Sequence, residues 1–460
     1  MGWSPGERVC PKDRAKRAAG RLAEFGGASR RPLSLSGVEL AANSVVTLST
    51  DGACAIISCE RHLMLPIARR GNPVNRHLSR QRDQYVDRLL RHIRKADRFR
   101  TLNGRVNFIV GRDRAGIEVQ SSRPRAGTAR TYRLEFSELR RGVGEIVEEG
   151  MADRDSLMQK NVRYTSAVQG LLVNMLPKVF RKIRLVTGRL LIRLTSVRVY
   201  VGGTEHNPDA IDAADKAGGA FLMMSYYRLK DWLTGRGGAP PAWLRHAQAN
   251  QQEVLFEPGE FTEWQRRKKG LPVENPITQD RYLAFLRQFK PKRAIALDKV
   301  GDARQSRRNF FDSVRQGFTN IIPIFHYGQP FSVLKRLIKL TAKRGWAGLV
   351  ALGGHVDLPE KVRGDWFAEC FEIANGHPLH GLGVGGFLVA MFPWFSVDNT
   401  TYLCARARGV AKVLTDVGRL DATCGKAKAL AANVGYTIRM GTRRLKRDFQ
   451  MRFDEALTVA

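Results

Sequence analysis

Three carboxylates in this sequence each close an apolar run. Glu257 follows "VLF" and precedes Pro258, Gly259, a second acid and the aromatic Phe261; Asp298 follows "IAL"; Asp398 follows "WFSV". A carboxylate can act as a nucleophile or as a general acid or base. Each acid also has a plainer role open to it. Glu257 reads as a polar turn residue after a strand. Asp298 can pair with Lys299 or Arg304, and Asp398, before Asn-Thr-Thr, can cap a helix. Glycines recur near the same places, as Gly353-Gly354 and in "GLGVGG", where tight turns alone would explain them. His326 reads as a hydrogen-bonded core histidine, whereas His355, His377 and His380 are too dispersed to assign.

What must position these acids is a series of eight short β-rich runs. They lie at 197–203, 220–227, 253–259, 293–302, 320–328, 347–354, 379–386 and 394–400. Segments of helical pattern separate several of them, including "ARQSRRNFFDSVRQGF", "PFSVLKRLIKLTAKRG" and "KVRGDWFAECFEIANG"; "ARARGVAKVLTDVGRL" follows the last. Strands alternating with helices imply a parallel sheet. The fold class expected is α/β, a (β/α)8 barrel in the C-terminal half. An open doubly wound sheet is the alternative, but no G-x-G-x-x-G opens a helix after the first strand. In a barrel, chemistry lies just past the C-terminal ends of the strands. Glu257, Asp298, His326, Tyr327, Gly353, Gly354, the "GLGVGG" loop and Asp398 all fall there.

Composition limits the partners. The chain has 77 Lys and Arg against 43 Asp and Glu, a formal charge of +34. That excess implies a polyanion, most simply nucleic acid, because neutralised phosphates release counterions whatever the base sequence. Residues 1–196 hold 38 basic and 18 acidic residues and are the denser part. Cys10, Cys54, Cys59, Cys370, Cys404 and Cys424 are scattered, with no C-x-x-C and no zinc spacing. Free thiols in a reducing compartment are expected, with Cys54 and Cys59 partly buried rather than metal-bound. The N-terminus lacks the apolar core of a secretory signal. The apolar-basic stretch Gly170–Leu194 carries too many Lys and Arg to cross a membrane. No membrane partner and a cytoplasmic location are expected.

Five regions follow. Residues 1–75 form a basic, largely disordered segment. Residues 76–150 form a small basic α+β module able to bind nucleic acid. Residues 151–196 form a basic helical linker, 197–420 the barrel, and 421–460 a basic helical extension.

The motifs "IALDKVGD", "IPIFHYGQPF", "VALGGHV", "HGLGVGGF" and "PWFSVDNTTY", in that order between about 197 and 402, carry a family likeness. This stretch resembles the tRNA-guanine transglycosylase superfamily, and most the phage and bacterial branch that inserts 7-deazaguanine bases into DNA. The resemblance implies base exchange through a covalent aspartyl-glycosyl intermediate. It makes Asp398 the nucleophile and Glu257 the second catalytic acid. It puts Asp298 on the Watson–Crick edge of guanine and Gly353 and Gly354 at its exocyclic oxygen. Phe261 and Leu382, the latter with Gly383 in the "GLGVGG" loop, become the walls of the base slot. Tyr327 stands where the family has glutamine. DNA and a 7-deazaguanine base are then the partners, with a phage host's cytoplasm as one setting, and no cofactor is required.

Two departures from the family pattern stand out. Glu-Pro-Gly replaces Asp-Ser-Gly, so the acid at 257 is one methylene longer. The family's zinc motif is missing after Asp398, where only Cys404 and Cys424 follow, so no structural zinc is expected. Alternatives are exchange on tRNA, a catalytically silent nucleic-acid-binding barrel, and a barrel enzyme using "GLGVGG" to clamp a phosphorylated substrate.

Overall fold

A computed structural model describes residues 75–122, 131–205, 207–231, 242–343, 346–400, 402–403, 410–415, 418–423 and 426–442. The expectation for residues 1–75 therefore lies almost wholly outside the described residues, as do Cys10, Cys54, Cys59, Cys404 and Cys424. All described residues belong to one unit, Arg61–Ala460.

The N-terminal part begins with α1 (Arg76–Ile93), capped by the Asn75 side chain on the His77 N–H at 2.9 Å. Val86, Leu89 and Ile93 line its buried face, while Arg80, Arg88 and Arg91 stay exposed. Four antiparallel strands follow in chain order: β1 (Arg98–Arg100), β2 (Val106–Arg112), β3 (Gly116–Ser121) and β4 (Thr131–Glu135). Then comes α2 (Phe136–Glu149). The next segment corrects the expectation of a helical linker over 151–196. It holds α3 (Arg154–Gln159) and α4 (Thr165–Met175), but also β5 (Met151–Asp153), β6 (Phe180–Arg184) and β7 (Leu190–Leu194) in an antiparallel sheet. The basic residues that suggested a helical face are the exposed positions of β6, Arg181 and Lys182 between buried Phe180 and Ile183, and Arg184 after them. Leu157, Leu171, Phe180 and Ile192 share one core with Leu89, Val119 and Val143. The module thus runs to β7 rather than ending at 150.

Each of the eight apolar runs carries a strand of one parallel sheet. Its strands are β8 (Arg198–Gly202), β9 (Phe221–Ser225), β10 (Glu253–Glu257), β11 (Ala294–Ile295), β12 (Ile321–Ile322), β13 (Ile324–His326), β14 (Val350–Gly353), β15 (Leu379–Gly381) and β16 (Ser396–Asn399). Their order is β12-β11-β10-β9-β8-β16-β15-β14-β13. The two ends of that order are consecutive in the chain, parted only by Pro323, so the sheet is a nearly closed barrel. Alternation sorts the side chains. Tyr200, Met223, Leu255, Ile295, Ile322 and Ala351 fill an inner cluster. Val199, Leu222, Val254, Phe256, Val350 and Val397 face the surrounding helices.

The region after β16 also differs from expectation. "ARARGVAKVLTDVGRL" was expected to be helical, yet its described residues contribute an antiparallel hairpin of β17 (Val410–Thr415) and β18 (Gly418–Thr423). The two strands pair in register from Val410 opposite Thr423 to Thr415 opposite Gly418. The helix Lys426–Thr442 is no loose extension. Leu430, Val434, Tyr436 and Met440 join the outer barrel core, and Gly441 O accepts from Val197 N at 2.8 Å. A boundary at 420 cuts through the hairpin.

The N-terminal end of the sheet is closed by charge. Arg198 Nη2 donates to Val147 O and Glu148 O at 2.9 and 2.7 Å, tying the C-terminus of α2 to β8. Gly150, with φ +77°, allows this approach, since a Cβ there would lie 2.7 Å from Arg198 Nε. Glu253 accepts from Tyr200 Oη at 2.7 Å and faces Lys292 at 3.4 Å, Arg198 at 3.8 Å and Arg293 at 3.9 Å. Burial alone would push the Glu253 carboxyl up, but the Lys292, Arg198 and Arg293 charges outweigh it and hold it down at about 2.

Candidate active site

Alternation along β10 decides where Glu257 points. Val254 and Phe256 pack outward and Leu255 inward, so Glu257 falls on the inner side at the strand's C-terminal end. Its neighbour across the sheet is Ser225, the last residue of β9. Burial, then the negative charges of Asp398, Glu205 and Asp298, push the Glu257 carboxyl up to about 8. Three acids that the sequence placed on one rim are therefore close enough to couple, and a fourth joins them.

That fourth acid, Glu205, was missed. It follows β8, is 7% exposed, and accepts a hydrogen bond from the Ser225 N–H. The signal was available, since "GGTE" puts an acid just past the first strand, where the same post-strand argument applies.

Asp398 lies within β16, beside Tyr200 in register, and is 4% exposed. It is a strand residue, which removes the helix-capping alternative. Its Oδ1 accepts from the Gly383 N–H at 3.0 Å and stands 3.4 Å from His380 Nε2. His380 Nδ1 is in turn 2.8 Å from Ser396 Oγ. His380, left unassigned by sequence, is thus the side chain that buttresses Asp398.

Asp298 sits past β11. Neither alternative cation accounts for it in the obvious way, because Lys299 Nζ goes to Glu260 Oε1 at 2.6 Å. Asp298 Oδ2 instead faces His326 Nε2 at 3.7 Å. His326 is therefore a rim residue and not the core histidine its sequence setting suggested.

Glu257 and Glu260 look alike in "FEPGEF" but separate in three dimensions. Gly259 takes φ +85° and starts α8 (Glu260–Lys268). Glu260, 2% exposed, pairs with Lys299 and with Arg267 at 3.3 Å, and Glu263 pairs with Arg267 and the Ile277 N–H at 2.9 Å. These acids hold the helix and are matched by cations; Glu257 is surrounded by acids.

The remaining expected residues fall into two groups. Gly353 ends β14 opposite His326, and a Cβ on it would meet Leu382 Cδ1 at 3.2 Å, so Gly353 and Leu382 are in close contact. Gly354 follows against His326, and Gly383 holds Asp398. Phe261 and Tyr327 are set apart. Phe261 is 38% exposed and stacks on Trp264, with centroids 5.7 Å apart, and Tyr327 is 41% exposed and meets Trp366 edge-on at 5.5 Å. His355 is fully buried between Trp366 and Phe367, and burial pulls it down to about 4, so it is neutral.

A nearly closed parallel sheet with carboxylates at the C-terminal ends of its strands makes this a mixed α/β protein. Comparison of the chain with protein-family models and with curated proteins finds no match. Among the described residues no group of three or more His, Cys, Asp or Glu side chains is arranged to hold a metal, and no helix is long and apolar enough to cross a membrane.

Proposed function

We propose that this chain is a base-exchange transglycosylase that replaces guanine in DNA with a 7-deazaguanine derivative. We count Ile321–Ile322 and Ile324–His326 as one strand interrupted by Pro323, which makes the sheet the core of a (β/α)8 barrel. The observation that carries the reading is the coupling of two unlike acids on the inner rim. Glu257 is held protonated at neutral pH, and Asp398 is oriented by the Gly383 N–H and His380.

The chemistry follows from that pair. Asp398 attacks C1′ of a deoxyguanosine while Glu257 gives its proton to the departing base. The C1′–N9 bond breaks, a C1′–Oδ bond forms, and guanine leaves neutral. The incoming base then loses its N9 proton to Glu257 as it displaces Asp398. Two inversions retain the configuration, as in retaining glycosidases. A side chain protonated near pH 7 suits the first step and, once ionised, the second. These steps need no metal or organic cofactor. Asp298, beside His326, would read the Watson–Crick edge, with Gly353, Gly354 and Leu382 around the base and Phe261 and Tyr327 at the opening. The base must leave the duplex first, at a cost of a few kcal/mol. The charge of +34 and the exposed Arg80, Arg88 and Arg91 of α1 support a nucleic-acid substrate. A cytoplasmic location goes with that substrate.

Incubation with labelled guanine and DNA or tRNA tests the proposal. Label should enter DNA. Entry into tRNA alone would transfer the reading to tRNA, and entry into neither would leave a non-catalytic nucleic-acid-binding barrel.

A further inference from the structure

Beside the candidate site, α8 carries a stripe of which the proposed chemistry uses only the first residue, Phe261. Phe261, Trp264 and Lys268 succeed one another at spacings of three and four, which is one face of a helix. The Phe261 and Trp264 rings stack at 5.7 Å with 24° between their planes, and Lys268 Nζ lies 5.0 Å from the Trp264 centroid. Leu271, 45% exposed, follows the helix end. A stacked aromatic pair left half open to water on a surface helix is unusual unless something covers it.

Charge indicates what that is. The other cations of α8 are occupied, Arg267 by Glu260 and Glu263, and Arg266 by Pro272 O at 3.0 and 3.2 Å. Lys268 and Lys269 are exposed and, among the described residues, neither is paired with a carboxylate. Aromatic faces followed by ammonium groups that no carboxylate neutralises fit a single strand of nucleic acid, whose bases stack and whose phosphates need cations. The stripe begins four residues after Glu257, separated from it by Pro258, Gly259 and Glu260. It therefore starts at the rim and leads away from it.

We infer that this face of α8 holds the unpaired strand beside the extruded nucleotide. The neighbouring base stacks on the Phe261–Trp264 pair, and the next phosphates lie on Lys268 and Lys269. The position of the strand rests on the transglycosylase reading; its affinity for the stripe does not.

Fluorescence anisotropy with a labelled, guanine-containing single-stranded 20-mer tests this on the full chain. Trp264→Ala should weaken binding by roughly tenfold. Trp264→Phe should bind as wild type, which separates lost stacking from lost folding. Lys268→Ala with Lys269→Ala should lower the slope of log affinity against log salt by about 1.4. If Trp264→Ala and the double lysine variant both bind within twofold of wild type with an unchanged salt slope, the inference fails. The same samples are assayed for guanine exchange. Exchange with unaltered binding would leave the enzyme reading intact and remove the stripe. Weakened binding in the variants, with no exchange by wild type, would keep the stripe and remove the enzyme reading.

Discussion

The backbone N–H of Gly383 donates to Oδ1 of Asp398 across 3.0 Å. This bond links the loop after β15 to the strand beside it and fixes one carboxylate oxygen. A neutral amide at 398 keeps an oxygen for that N–H but loses the nucleophile. Asp398→Asn should therefore fold with a Tm near that of wild type, while exchange falls by about 1,000-fold or more, measured as labelled guanine incorporated per minute.

Glu257 gives a pH signature. Its carboxyl is held at about 8 against an ordinary value of 4.5. The first step uses the protonated form, so its single-turnover rate should fall as pH rises through about 8. The stability sign follows from the same shift. The folded state binds this proton more tightly than the unfolded state, so the contribution is complete below about 4.5 and is lost as pH rises through about 8. Glu257→Gln removes that dependence and should raise Tm at pH 9 by about 3 °C or more, with little gain at pH 5. Full exchange activity in Glu257→Gln would return this residue to the role of a turn.

Gly259 joins Glu257 to the α8 stripe. Its φ is +85°, and a Cβ there would overlap Ser225 Oγ and lie 2.6 Å from Tyr227 Cβ. Gly259→Ala must move either the end of β9 or the start of α8. A loss of about 2 kcal/mol in urea unfolding is expected, together with weaker single-strand binding because Phe261 shifts with the helix.

At the other end of the sheet the charges are structural. Glu253, held at about 2, adds stability above its unfolded value near 4.5, and this is lost as pH falls through about 2. Glu253→Ala leaves buried Arg198 without its counter-charge, while Arg293 keeps Glu149 at 3.3 Å, and should cost about 3 kcal/mol. The exchange rate per folded molecule should stay unchanged, since the carboxylates of the site lie at the opposite ends of the strands.

The barrel-like sheet was legible because its strands are buried on both faces and stand out as apolar runs. The acids at their ends were legible by position. Whether an acid is chemical or structural was not. Glu257 and Glu260 are three residues apart in similar surroundings, and only strand parity and the cations Lys299 and Arg267 distinguish them. His380 was hidden for the same reason, since its partner Asp398 comes from another strand, whereas Glu205 stands just past the first strand, where position alone marks it. The strands at 180–194 and the hairpin within 410–423 were read as helical because their cations suggested a solvated helix face. Burial along β6 falls on Phe180 and Ile183, three apart, so antiparallel pairing with β7 and not a local period makes this segment a strand.

The proposed reaction requires a covalent bond between Asp398 and the deoxyribose of a guanosine in DNA. Intact-mass analysis of the protein after denaturation with a guanine-containing oligonucleotide measures it directly. Wild type should carry an abasic-strand adduct, absent in Asp398→Ala and reversed by added guanine. Wild-type protein that forms no adduct with DNA or tRNA, or an adduct that persists in Asp398→Ala, would contradict it.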